Sequence, residues 1–284
     1  MSSALACHRC MFVFSDVLSL ALALLVYPLV EGREQGWPAW TYAMLAGSLL
    51  TFALFVRFEA RIARRGGSPL IDVRLFREHE FSLGMVVALG IYLTSAFFLT
   101  FAVYLQNGLQ RSALQAGLAT VPFTIGYFVG SISASRAIDA LGHRALPLAC
   151  ACKAAGFALL IAVVLRVVPQ GMFAPALAIA GCGFGVAMPS LIRTVISSVG
   201  MHHAGLASGM VITGLQISAA LGVAVIGGVF YTALHGQSGA SVYAHAFATG
   251  LACNVATLAV LVLLSLALGR TRRTSTHAVV ASIE

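Results

Sequence analysis

Charge is scarce in this sequence. Seventeen Lys or Arg and nine Asp or Glu are spread over 284 residues, 9% charged in all, against roughly 25% in soluble domains. So few charges cannot cover a water-soluble globule, which excludes that class and leaves a chain whose outer surface meets lipid. Lysine is nearly missing, with one against sixteen arginines. A second CxxC is missing too. Cys7-His8-Arg9-Cys10 stands alone, without the further ligands of a zinc site or the βαβ context of a redox site, so its cysteines read as free thiols. The eight histidines include His202-His203 but no HxxxH set. No DDxxD and no Ser-His pair within the apolar runs is present, which argues against an intramembrane enzyme. No metal and no cofactor is expected. Residues 11–30 are too long for a signal-peptide core and lack a small-x-small cleavage site after them, so they read as a membrane helix.

What is present is apolar sequence, 60% of the chain, with a mean hydropathy of +0.94. About 20 helical residues cross a hydrocarbon core about 30 Å thick. That ruler predicts eight spans, at 11–30, 39–57, 81–105, 114–136, 146–168, 174–196, 206–232 and 246–268. The fold class is an all-α membrane protein with a two-helix hairpin followed by a six-helix bundle. Fourteen of the seventeen cations fall on one side of that threading. The positive-inside rule then places both termini in the cytoplasm, and the net charge of +8 marks topology rather than nucleic-acid binding. Trp37, Trp40 and Tyr104 fall at outer ends, where amphipathic rings settle. The basic stretch 58–80, broken at Gly66-Gly67-Ser68-Pro69, is the one substantial linker. The expected organisation is a hairpin over 1–57, a cytoplasmic linker over 58–80, a bundle over 81–268 and a cytoplasmic tail over 269–284. Within the bundle, spans 3–5 and 6–8 suit two three-helix repeats of opposite topology.

Small residues recur four apart at Gly126/Gly130, Gly181/Gly185, Gly205/Gly209 and Gly214/Ser218/Gly222. That spacing lets helices approach closely, for static packing or for rocking. Polar groups at membrane depth are the default pointers to a pathway. Asp16 lies near the inner end of the first span, as an interfacial residue would. Lys153 points back along its helix and is expected to snorkel to the cytoplasmic surface. Arg193 follows Met188-Pro189 on a helix that runs inward. It is either an inner-end snorkelling arginine or a substrate contact. Gln106, Asn107 and Gln216 are placed to orient a ligand. Tyr92, Phe97, Phe98 and Phe101 are either an aromatic wall for lipophilic cations or ordinary packing aromatics.

Several stretches resemble the fourteen-helix drug:proton antiporter branch (EmrB/QacA-like) of the major facilitator superfamily. VYPLVEGREQGWPAW at 26–40 is similar to the turn between that family's linker helices, and SPLIDVRLFR at 68–77 to the approach to its second bundle. YLQNGLQRSALQAGLATVP at 104–122 is similar to an outer loop of that bundle, and ALGVAVIGGVF at 220–230 to a Gly-rich late helix. The resemblance covers about residues 16–268. It implies half of a major facilitator fold, with the first six-helix bundle absent and the chain a partial transporter. Arg136, Asp139, Gly142 and Arg144 match the second-half copy of the superfamily's G-x-x-x-D-R-x-G-R-R motif, whereas Ser135, Ala140 and His143 depart from it. These residues form either a cytoplasmic gating latch or an ordinary positive-inside turn. An Asn and an Arg that accompany Gln216 in the family are Ile212 and Leu215 here.

The implied function is multidrug efflux by drug:proton antiport from a bacterial inner membrane. The partners are the bilayer, small lipophilic or cationic substrates and protons, with a candidate pathway through Tyr92, Phe98, Gln106, Asn107, Arg193 and Gln216. The alternative is a non-transporting fragment, or a half-transporter that pairs with another bundle. If the latch reading holds, Asp139→Asn is expected to change the transport cycle without changing expression or membrane insertion. Lost insertion in a membrane-fractionation assay would leave the loop as a topological turn only.

Overall fold

A computed structural model describes residues 20–21, 23–24, 27–28, 38–64, 79–196, 204–234, 236–237 and 239–281. The chain divides into two units, Met1–Phe76 and Arg77–Glu284. In the first, α1 spans Ala39–Arg64. Its Ser48 hydroxyl donates to the Ala21 carbonyl at 2.9 Å, and the rings of Tyr27 and Trp40 lie 5.7 Å apart. Higher residue numbers on one segment thus meet lower ones on the other, so the two run antiparallel. The expected span 11–30 lies largely outside the described residues. The expected end at residue 57 is passed by α1, which continues to Arg64. No Gly or Pro interrupts the basic sequence until Gly66-Gly67.

The second unit is a bundle of helices: α2 (His79–Leu93), α3 (Phe97–Val103), α4 (Ala113–Leu118), α5 (Val121–Leu141), α6 (Ala145–Val164), α7 (Phe173–Ile196), α8 (Ala204–Leu234) and α9 (Ala240–Ala281). Six stretches among the described residues are long and apolar enough to cross a membrane: Ser82–Gly108, Ala113–Leu141, Ala145–Val164, Gln170–Leu191, Ile212–Leu234 and Ala240–Leu266. Each overlaps an expected span of the bundle. Leu114, Ile132 and Leu263 expose their side chains on the outside, as a lipid-facing surface allows. The last helix runs 42 residues, about 63 Å at 1.5 Å per residue. The boundary expected at 268 is therefore one of composition, and the helix runs on through the basic sequence to Ala281.

The first span is not one regular helix. A 3-10 turn at Thr94–Ala96 separates α2 from α3, and a π-helical turn at Tyr104–Gly108 follows. Beyond it, Ser112 and Gln115 close a capping box that starts α4, each satisfying a backbone N–H the helix leaves open. Gly142, at φ +54°, ends α5 in a backbone region where a Cβ is strained.

In the packing order, α7 lies against both α5 and α6, α6 against α9, and α8 against α2 and α9. Glycine sets the closest approaches. A Cβ on Gly126 or Gly130 would strike the Ala178 or Cys182 backbone of α7, and one on Gly181 or Gly185 the Phe123 or Tyr127 backbone of α5. Gly183, on the other face of α7, abuts the Lys153 and Ala149 backbone of α6. In the same way Gly222 of α8 abuts the Leu93 carbonyl, while Ser218 donates to Leu89 O. Gly205 and Gly209 lie in α8, but their surroundings are outside the described residues.

Gly181→Val would force α5 and α7 apart, at about 1–3 kcal/mol for overpacking. Gly228, with nothing near its Cβ position, is the control, since Gly228→Ala removes only a helix-weakening glycine. A lower Tm in detergent is expected for the first variant and an unchanged or higher Tm for the second. Equal Tm values would show that glycine does not set the α5–α7 distance.

Candidate functional site

Lys153 is the ninth of the 20 residues of α6, so its backbone sits about 12 Å from the start of the helix, near mid-span. The expected snorkelling does not occur. The side chain is 3% exposed, and its Nζ donates to Thr94 Oγ1 at 2.7 Å. Two rings complete its surroundings, Phe184 with its centroid 4.2 Å from Nζ and Phe157 at 5.6 Å. Gly183 explains the inward course, because without a Cβ there α7 comes down onto the backbone of Lys153 and places the next residue, Phe184, over the ammonium. Thr94 is available because the helix changes winding at this point. Its hydroxyl donates to Ile91 O at 2.5 Å, leaving its lone pairs for the lysine.

An ammonium carries three donors and no acceptor. Thr94 takes one, and ring faces attract the charge as a quadrupole does. The six apolar spans contain one carboxylate, Asp139, which is exposed at the end of α5. Hence Lys153 is a buried base whose protonated form is held by a neutral hydroxyl and aromatic faces, a costly arrangement that marks an intramembrane functional site. Asn254 of α9 is also a buried polar group. Its Nδ2 donates to Gly250 O at 3.1 Å, and its Oδ1 has no partner among the described residues.

The aromatic residues form two layers. Phe97, Phe101, Phe157 and Phe247 are fully buried, with the Phe97 ring 5.1 Å from Phe101 and 4.9 Å from Phe157. Phe97 and Phe101 are therefore core. An outer set reaches the bundle surface. Phe98 packs edge-on against Phe123 at 5.1 Å, and Phe184 lies 6.2 Å from Phe123 and 5.5 Å from Tyr127. Phe98 is exposed, and Tyr127 and Phe184 are partly so.

The residues singled out in the sequence are not gathered at this centre. Tyr92 is partly buried, while Gln106, Asn107 and Gln216 are exposed. The side chain of Arg193 lies outside the described residues, although its backbone is in α7. Arg136, Asp139, Gly142 and Arg144 are exposed together where α5 passes into a 3-10 turn. Lys153 is the functional candidate that the sequence alone did not single out. Its signal was the chain's only lysine, placed within an apolar span. No group of three or more His, Cys, Asp or Glu suited to a metal occurs among the described residues.

This architecture defines a multi-spanning helical membrane protein with a buried lysine at mid-depth. The chain is 32% identical over 237 residues to the "Probable actinorhodin transporter" of Streptomyces coelicolor, covering 80% of this chain and 41% of that protein. It is 35% identical over 252 residues to the cephamycin export protein CmcT of Amycolatopsis lactamdurans, 84% of this chain and 50% of that one. It is 28% identical over 217 residues to the multidrug resistance protein Stp of Mycobacterium tuberculosis, 74% and 38% of the two chains. No family model matches. The chain is thus related to bacterial drug-resistance and export proteins, two of the three named for transport and one for resistance, and it spans half their length or less.

Thr94→Val removes the hydrogen-bond partner of the ammonium, which is expected to cost about 1–3 kcal/mol. In a Lys153→Met background the same change is expected to cost clearly less, since only the hydroxyl's bond to Ile91 O is then lost. Thermal unfolding of the four variants in detergent measures the difference, and additive effects would show that the Lys153–Thr94 contact carries no energy.

Proposed function

We propose that this chain supplies the linker helices and second bundle of a proton-coupled exporter of small lipophilic molecules. The branch that suits it is the fourteen-helix drug:proton antiporters of the major facilitator superfamily. The observation that carries this reading is the similarity to a probable transporter over 80% of the chain and to an export protein over 84% of it, with six apolar spans inside the bundle. The packing supports it as well. Exchanging the first three spans of the bundle with the last three maps the α5–α7 contact onto α8–α2 and leaves α6–α9 on itself, the pairing that inverted repeats produce.

In this reading the chain has eight spans in the bacterial inner membrane, with a hairpin over 1–57, a linker over 58–80, a bundle over 81–268 and a tail over 269–284. Both termini face the cytoplasm, where Arg136, Asp139, Gly142 and Arg144 gate the inner end. Tyr92, Phe98, Gln106, Asn107, Arg193 and Gln216 line the pathway on the face towards a first bundle. Aromatic residues on that face supply a sequence-tolerant apolar surface for flat molecules. Because the matched region is half or less of each relative's length, the second reading is a half-transporter that acts with a separate bundle.

Two experiments test the proposal. The purified chain in proteoliposomes with an imposed proton gradient is expected to export nothing, and active efflux by the chain alone would overturn the need for a second bundle. A chimaera that carries residues 81–268 in place of the matched segment of a relative is expected to retain measurable export. Complete loss of export from a chimaera that inserts and folds would overturn the exporter reading.

A further inference from the structure

From the charge and geometry around Lys153, we propose that this bundle selects small aromatic molecules bearing a negative charge, with the Lys153 ammonium as counter-ion and Phe184 as the movable ring between them. This rests on the exporter reading and specifies its substrate class. It also reverses the sign that the aromatic residues alone suggest, because a bare aromatic wall attracts cations.

Three observations carry it. First, the ionisable group buried at mid-depth is a base, and the six apolar spans hold no carboxylate except Asp139, which is exposed at the end of α5. In a low-dielectric medium the protonated form of that base is repelled by a second cation and stabilised by an anion. Second, Lys153 has unused donor capacity, since only its bond to Thr94 is made among the described residues. A carboxylate or phenolate oxygen accepts just such a charge-assisted bond. Third, the ammonium is one ring away from the bundle surface. Phe184 sits on α7, which lies between α5 and α6. Its ring is 4.2 Å from Nζ and 5.5 Å from the partly exposed Tyr127. Phe98 and Phe123 extend the same wall. Rotation of Phe184 exchanges a ring face for a ligand oxygen at Nζ, while the ligand's aromatic body takes the place of the ring against Tyr127 and Phe123. The neighbouring Gly183, with no side chain, leaves the backbone contact with α6 unaltered by that rotation.

The test compares two probes of like shape and opposite charge, 2-naphthoate and (2-naphthylmethyl)trimethylammonium. Binding to the full chain is measured in nanodiscs of zwitterionic lipid, so that no surface charge favours either probe. Naphthoate is expected to bind the unaltered chain at least tenfold more tightly than the cation. Lys153→Gln is expected to abolish that preference and Lys153→Arg to keep most of it. Phe184→Ala is expected to speed naphthoate association several-fold, a readout that remains if the lysine variant fails to fold. Equal binding of the two probes, preferential binding of the cation, or a preference unchanged in a folded Lys153→Gln protein would overturn the anion assignment and leave the exporter reading standing. Binding of neither probe would overturn the assignment together with the ligand-binding role of the bundle.

Discussion

In lipid, helices gain little from hiding apolar surface, because the solvent is as apolar as they are; they hold together by close contact and by hydrogen bonds. The contact this bundle depends on is the seating of α7 between α5 and α6. Gly181 and Gly185 bring its backbone onto α5, and Gly183 brings the opposite face onto α6. Three glycines in five residues thus make a two-sided wedge. Larger side chains on either face would push one neighbour out of dispersion range and weaken the whole assembly.

The same wedge creates the chemistry. Because Gly183 lets α7 approach the backbone of Lys153, the adjacent Phe184 lies over the ammonium instead of leaving a path to the surface. The long lysine side chain, which ordinarily reaches for water, is turned towards Thr94 on a helix 59 residues earlier in the chain. Packing and electrostatics are therefore not separable here. The charge is kept at depth by the glycines that hold the bundle together, and it is tolerated because a hydroxyl and two rings are within reach.

How far the sequence revealed this follows from the range of each signal. Hydropathy is local, so the spans of the bundle were readable to within a few residues, as at 82–108 and 145–164. Four-residue glycine spacing is local too, and Gly126, Gly130, Gly181 and Gly185 do lie where α5 meets α7. What glycine spacing cannot say is which helix it faces. The fate of Lys153 depended on that, since snorkelling and burial differ only in what packs above the side chain. Gln106 and Asn107 were legible as polar residues at a span end and Gln216 as one within a span, but their exposure is a property of the assembled bundle. The end of α9 at Ala281 was missed because hydropathy measures where lipid stops, and a helix does not have to stop there.

The winding of the first span in the bundle has a consequence for how its surface is arranged. A 3-10 turn advances each residue about 120° around the axis instead of about 100°, so three such residues at Thr94–Ala96 rotate everything beyond them by about 60°. A helical wheel drawn through residues 82–108 is therefore out of phase across its own midpoint. Tyr92 before the turn and Phe97, Phe98 and Phe101 after it belong to two wheels, not one. That offset takes Tyr92 out of line with the rings beyond the turn, and the division into buried Phe97 and Phe101 and exposed Phe98 lies wholly within the second wheel, beyond the depth of Thr94 and its lysine.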